Sequence, residues 1–210
     1  MDWLLAAMLS LVAYLLGSIP SAYFLVYLVK HVDIRQMGSR NVGALNTFQQ
    51  VGPWGGVLVL LADAGKGALA VVLPHWLGIP DWAVYPAAIL VVVGHNWPVF
   101  LGFHGGKGAA SILGIALALA PILTLISVAP VALIILLAHN VVIGVAAGFI
   151  LFNTLAVVTH QGTGLITLCL ALTFMVIGTY LRTTLGQMFA AAKAGRWREV
   201  FYEGSLNPEE

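Results

Sequence analysis

The stretch G-H-N-W-P-V-F-L-G-F-H-G-G-K-G-A-A-S, from Gly94 to Ser111, decides how the rest of the chain is read. It is short, polar and rich in glycine, and it joins two apolar runs. Glycines at 105, 106 and 108 remove every Cβ around Lys107, so backbone N–H groups there can close on a ligand without steric penalty. The apolar segment just after Lys107 predicts a helix whose N-terminus offers unpaired N–H donors and a positive dipole end. With the lysine charge added, the stretch reads as a phosphate cradle at a membrane surface. The alternative is a plain glycine-rich connector whose lysine marks the cytoplasmic side. Spacing excludes a nucleotide-binding P-loop: three residues separate Gly102 from Gly106, and Gly108 stands where a hydroxyl belongs.

The surrounding chain sets the class. Of 210 residues, 60% are hydrophobic and 8% charged, against about 25% charged in soluble domains. Apolar runs long enough to cross a bilayer recur along nearly the whole length. They predict an all-α, polytopic membrane bundle with no room for a soluble catalytic domain. The formal net charge of +1 argues against nucleic acid as a partner. The single cysteine, Cys169, lies in an apolar run and excludes a disulfide framework. Asp2 heads the first run with no Lys or Arg before it, so that run is read as a retained span.

About seven transmembrane helices are expected. The first covers Trp3 to Val29, with Gly17-Ser18-Ile19-Pro20-Ser21 in its middle. Proline there predicts a kink, and the serine hydroxyls can re-satisfy the freed carbonyl. A polar segment, 30–52, precedes a second span from Pro53 to Leu73. A loop from Pro74 to Asp81 leads to a third from Trp82 to Gly94, and Ala109 to Ala120 makes a short fourth. Pro121 and Pro130 bracket a turn and the start of a fifth, which ends near Leu137. His139-Asn140 separates it from a sixth ending near Val158, and after a turn at 160–164 the seventh runs from Leu165 to Leu181. Residues 1–182 are then the transmembrane catalytic domain, and 183–210 a cytoplasmic amphipathic tail. In that tail Lys193, Arg196 and Arg198 sit among Met188, Phe189, Trp197 and Phe201, a pattern that fits a membrane-surface helix or a plain basic tail.

Basic residues orient the spans. With the N-terminus outside, inward segments hold Lys30, Arg35, Arg40, Lys107, Arg182, Lys193, Arg196 and Arg198, and of nine basic residues only Lys66 remains, inside a span. That asymmetry puts the C-terminus and both glycine-rich polar loops on the cytoplasmic face.

Two further groups point to chemistry. Asp63 and Lys66 lie three apart on one helix, and ionisable residues within a span serve each other or a site. They read either as a self-neutralising pair or as a phosphate ligand, Lys66, oriented by Asp63. The loop Gly38-Ser39-Arg40-Asn41-Val42-Gly43-Ala44-Leu45-Asn46 offers hydroxyl, amide and guanidinium donors suited to a phosphomonoester. By itself it is also an ordinary solvated loop. His95, at the mouth of the third span, reads as a general base or as an interfacial histidine. Neither a zinc spacing nor a carboxylate cluster for Mg²⁺ is present, and no nucleophile elbow is found.

Gly17-Ser18-Ile19-Pro20, Asp33-Ile34-Arg35, the 38–46 loop, D-x-x-K-G at 63–67 and G-H-x-x-P-x-F-x-x-F-x-G-G-K-G at 94–108 occur in order. Together they make the first half resemble the bacterial acyl-phosphate:glycerol-3-phosphate acyltransferase family. The resemblance implies a seven-span inner-membrane enzyme with a cytoplasmic active site and no cofactor. Its reactants would be acyl phosphate and glycerol 3-phosphate, and its products lysophosphatidic acid and phosphate. Both reactants carry a phosphate, which accounts for two cationic loops. Acyl phosphate has a good leaving group, so positioning and charge stabilisation are the work left. His95, Lys107, Asn41 and Ser39 are then the expected catalytic residues. Ser39, Arg40, Asn46, Lys66, Gly105, Gly106, Lys107 and Gly108 would hold phosphate, supported by Asp63, Gly43 and Arg182. The chain departs from the family pattern at Arg40, where glycine is usual, at Leu45 for threonine, and at Gln49 for a phosphate-binding arginine. The L-R-T-T-L-G-Q region keeps only Arg182 of the usual polar ending. These departures fit a paralogue with another acceptor, and a transporter of a phosphorylated solute is a rival from another class.

Overall fold

The computed structural model describes residues 2–193, and the side chains of these other than 184–192. Among the described residues all regular structure is helical, in two compact units, Met1–Ile122 and Leu123–Glu210. The all-α membrane expectation holds. Asp2–Lys30, Pro53–Trp76, Asp81–Leu101, Pro121–Ala138, Val141–Val158 and Thr163–Thr183 are long and apolar enough to cross a bilayer. The remaining apolar segment, Ala109–Leu119, is a helix of 11 residues, about 16 Å long and roughly half a hydrocarbon core.

In the first unit, α1 (Asp2–Gly17) stops ahead of Pro20 and α2 (Ser21–Lys30) resumes after it. The expected kink is therefore a full break. Ser18 donates its hydroxyl to Tyr14 O at 2.9 Å, serving a carbonyl in the last turn of α1. The 30–52 segment is more ordered than its polarity suggests. A 3₁₀ turn at Ile34–Gln36 and helix α3 (Ala44–Val51) leave only a short loop between them. Helix α4 (Pro53–Trp76) begins on a proline, whose missing N–H costs nothing there, and runs past the expected end with Pro74 inside it. Helix α5 (Val84–Asn96) is followed by a 3₁₀ turn at Val99–Leu101 and then by α6 (Ala109–Leu119).

Glycines set how closely these helices approach. A Cβ on Gly67 of α4 would overlap Ser111 O of α6, and one on Gly114 of α6 would overlap Ala64 O of α4. Gly17 of α1 and Gly94 of α5 make the same reciprocal contact with Val91 O and Tyr14 O. In lipid, where burial of apolar surface drives little, such backbone proximity supplies the dispersion that holds helices together. Gly65, beside Gly67, faces nothing within 4 Å. Under the polar loops, Val26, Ile34, Val42, Val59 and Leu101 form a buried cluster that fixes α2, the 3₁₀ turn and α4 to one another.

The second unit holds α7 (Pro121–Ala138), α8 (Val141–Val158) and α9 (Thr163–Lys193). Pro130 lies inside α7 and not at the expected turn. Asn140 caps α8, its side-chain oxygen accepting from the N–H groups of Val142 and Ile143 at 2.9 and 3.1 Å. Asn153 of α8 donates to Thr173 Oγ1 of α9 at 3.0 Å. Large apolar side chains such as Leu137, Ile150 and Phe174 face outward, the pattern of a lipid-facing surface. α9 continues beyond Leu181 to Lys193. Arg196, Trp197, Arg198 and Phe201 of the expected tail lie outside the described residues.

Candidate active site

The break in the first span lets an ionisable cluster form within the bundle. Lys66 Nζ lies 2.9 Å from Asp63 Oδ1, one turn away on α4. The same ammonium donates to Ile19 O at 3.0 Å, a carbonyl at the break beside Pro20. His95 of α5 puts Nδ1 3.7 Å from Asp63 Oδ1. Asp63 is 2% exposed, and Lys66 and His95 are each 7% exposed. A buried charge is costly unless paired. Here one carboxylate faces an ammonium and an imidazole, and one ammonium bridges a carboxylate and a peptide oxygen. The cluster lines a hollow of about 10 Å³, room for roughly one water-sized group.

Both glycine-rich loops close over this cluster. Val42 from the first loop and Gly105 from the second line the same hollow. The N–H groups of Gly105 and Gly106 donate to Asn96 O at 3.2 Å and His95 O at 3.0 Å. These two glycines thus spend their donors on α5. Their missing side chains let the loop lie on His95, since a Cβ on Gly106 would overlap His95 Nε2. Arg35 links the loops further. Its Nη2 and Nε pair with Asp33 at 2.7 to 3.1 Å, while Nη1 donates to Leu101 O at 3.1 Å. The Arg35 guanidinium holds the Asp33 carboxyl below the usual carboxylate range, and the bond to Asp33 raises the Arg35 pKa in turn.

The expected site residues divide. Asp63, Lys66, His95 and Gly105 line the hollow. Ser39, Arg40, Asn41, Gly106, Lys107 and Gly108, in the loops around it, and Asn46, on α3, are not in its lining. Ser39, Asn41 and Lys107 are half-buried, whereas Arg40 is exposed. Arg40 sits at φ 61°, in the left-handed region where glycine is at ease. Asn46 is fully buried, and its amide donates to Met37 O, Asn41 O and Ile34 O at 3.1, 3.0 and 3.4 Å. It pins the loop from beneath. Gly43 is the N-terminal cap position of α3, and its carbonyl accepts from Thr47 Oγ1 at 3.0 Å. Arg182 is exposed on α9 in the second unit.

Sequence reasoning passed over three features. The Ile19 carbonyl as a Lys66 partner has no side-chain signature. Arg35, an inner-face charge and part of the Asp33-Ile34-Arg35 motif in the sequence, also lines an open groove of about 460 Å³ with Tyr23, Phe24 and Phe100. Asn96 and Ser111 are the third, buried polar residues on either side of the Gly-Lys-Gly turn. Among the described residues no cluster of His, Cys, Asp and Glu suited to a metal ion is found.

Fold and site together define an integral-membrane helical protein with a buried carboxylate–ammonium–imidazole cluster under two glycine-rich loops. The model of the family described as Glycerol-3-phosphate acyltransferase matches residues 7–190. The chain belongs to that family, as its N-terminal motifs suggested. The glycerol-3-phosphate acyltransferase of Thermoanaerobacter pseudethanolicus is 34% identical over 197 residues, 93% of this chain and 98% of the relative. A crystal structure of PlsY (YgiH), an integral membrane glycerol 3-phosphate acyltransferase, in its glycerol 3-phosphate form is similar with a TM-score of 0.79. It is 31% identical and covers 91% of this chain and 93% of the other. The lysophosphatidic acid form gives 0.74 at 28% identity, covering 94% and 98%. Other relatives, 42% to 49% identical, are matched over only 49% to 60% of their own length.

Proposed function

We propose that this protein transfers a fatty acyl group from acyl phosphate to the 1-hydroxyl of glycerol 3-phosphate, giving lysophosphatidic acid and inorganic phosphate. The observation that carries the reading is the near-complete match to PlsY in its glycerol 3-phosphate and lysophosphatidic acid forms. The buried cluster beneath two donor-rich loops supports it. In the reaction the glycerol hydroxyl oxygen attacks the acyl carbonyl carbon, the acyl C–O bond to phosphate breaks, and phosphate leaves with that electron pair. The hydroxyl proton passes to His95 or to a substrate phosphate oxygen. Ser39, Asn41, Lys66 and Lys107 serve by holding phosphate and polarising the carbonyl, Asp63 by orienting Lys66 and His95. With room for about one water at the cluster, substrate entry requires the two loops to part.

The membrane assignment extends to a multi-pass protein of a bacterial inner membrane, N-terminus outside and C-terminus in the cytoplasm, with the site facing inward. Residues 1–182 carry the catalysis, and 183–210 form a tail that meets anionic lipid. The deciding experiment supplies acyl phosphate and labelled glycerol 3-phosphate to protein reconstituted in lipid vesicles. Labelled lysophosphatidic acid with equimolar phosphate is expected. Uptake of label without acylation, or acylation of a different phosphorylated acceptor only, overturns the reading. His95→Ala that retains full turnover assigns the proton to the substrate.

A further inference from the structure

Arg35 takes no part in the proposed chemistry, yet its guanidinium ties the element that leads into the first glycine-rich loop to the turn that leads into the second. Asp33 caps the 3₁₀ turn at Ile34–Gln36 and holds one edge of the fork. Its carboxylate accepts from Nε at 3.0 and 3.1 Å and from Nη2 at 2.7 Å. The Tyr23 ring lies 5.9 Å from Cζ. A planar fork held along that edge has a fixed direction left for Nη1, which donates to Leu101 O at 3.1 Å.

The turn it reaches is strained, and open on its outer side. Gly102 and Phe103 follow one another at φ 61° and 64°, and the left-handed region is costly for a residue that carries a Cβ. A Cβ on Gly102 would meet nothing within 4 Å, and Phe100 and Phe103 are exposed. Arg35, Leu101 and Gly102 all line the open groove of about 460 Å³. On the inner side Leu101 is buried in the cluster with Ile34 and Val42. Its carbonyl accepts from the His104 N–H at 3.4 Å as well as from Arg35, so the orientation of that one peptide sets the path of the residues after it. Those are Gly105 and Gly106, which bond back to Asn96 O and His95 O, with Gly105 in the lining of the hollow beside Asp63 and Lys66.

We propose that Arg35 is a positioning residue: by fixing Leu101 O it holds the 102–106 backbone closed over His95, so that the acyl group passes to the bound hydroxyl and not to water. Acyl phosphate is open to both. When water attacks, its oxygen bonds the acyl carbon and the C–O bond to phosphate breaks. One water proton stays on the fatty acid and the other ends on the departing phosphate. A hollow with room for roughly one water-sized group suppresses that route while the loops are shut. The proposal rests on the acyl-transfer reading for its chemistry, and on the Arg35 contacts alone for its residues.

The protein reconstituted in lipid vesicles is given acyl-labelled acyl phosphate with glycerol 3-phosphate, and the ratio of free fatty acid to lysophosphatidic acid is measured. In parallel, amide hydrogen exchange of residues 99–108 reports loop opening without any need for turnover. Arg35→Lys keeps the charge and loses the fork. It is expected to raise both the ratio and the exchange about tenfold, the scale of one hydrogen bond to a charged group. Asp33→Asn loosens the fork without removing it and should raise both about threefold; it carries the test if Arg35→Lys does not fold. Less of both products in the wild-type ratio, with wild-type exchange, marks a loss of folded protein only and overturns the proposal. Faster exchange with an unchanged ratio overturns it too. Faster exchange on these substitutions in a protein that forms no lysophosphatidic acid retains Arg35 as the tie between the loops and overturns the acyl-transfer reading.

Discussion

At the residue scale the buried cluster combines structural and chemical duties, and substitutions can part them. Asp63→Asn leaves the Lys66 ammonium buried with only a carbonyl and a neutral amide for company. Breaking a buried pair by removing one partner costs about 3–5 kcal/mol. The double substitution Asp63→Asn, Lys66→Met removes both charges and is expected to regain most of that stability while remaining inactive in acyl transfer. Unfolding of the three proteins in mixed micelles checks this, and a double variant that recovers turnover shows the pair to be structural only. Outside the membrane, Asp33 offers a pH test. Its folded pKa is depressed by Arg35, so its contribution is present above the ordinary carboxylate pKa of about 3.9 and is lost as pH falls below that value. Wild-type stability should therefore drop more steeply than that of Asp33→Asn as pH is lowered below about 4. Parallel acid-unfolding curves would contradict this. Legibility at this scale was uneven. The i, i+3 spacing announced the Asp63–Lys66 pair, because helix geometry alone brings those side chains together. Partners from other elements, such as Ile19 O on Lys66, carry no such periodicity and had to be seen.

At the element scale, helix identity was readable because twenty-odd apolar residues have few alternatives in a bilayer. Ends were less so. Pro74 and Pro130 mark boundaries in the sequence pattern, yet both lie inside helices. In a bundle, neighbouring groups can serve the carbonyl a proline frees, so the residue loses its force as a stop signal. The polar composition of 44–51 concealed helix α3, whose buried Asn46 and Thr47 face inward to hold the loop. The glycines separate by what faces them, a matter of three-dimensional neighbours and not of sequence. Gly67→Ala and Gly114→Ala push a Cβ into the backbone of the partner helix and are each expected to cost about 1–3 kcal/mol. Gly65→Ala meets open space and is expected to be neutral or to stabilise by about 0.5–1 kcal/mol through helix propensity. Thermal unfolding of the three variants decides. Equal effects at 65 and 67 would mean that close approach between α4 and α6 contributes nothing.

For the whole molecule, charge predicts an orientation that can be tested. Translocating a lysine or arginine is costly, so loops rich in them stay in the cytoplasm. Gln36 and His104 lie in the two loops that carry Arg35, Arg40 and Lys107, whereas His75 and Thr163 border connections without basic residues. All four are exposed. After Cys169→Ser removes the native thiol, single cysteines at these positions report sidedness to a membrane-impermeant maleimide. Gln36→Cys and His104→Cys should react only in inside-out vesicles, and His75→Cys and Thr163→Cys only in intact spheroplasts. The result bears directly on function. Glycerol 3-phosphate and the basic loops that would bind it must share a compartment, and a charged reactant does not cross the bilayer unaided. Reaction of residues 36 and 104 from the outside would therefore remove the proposed substrates from reach of the cluster around Lys66 and His95, whatever the fold resembles.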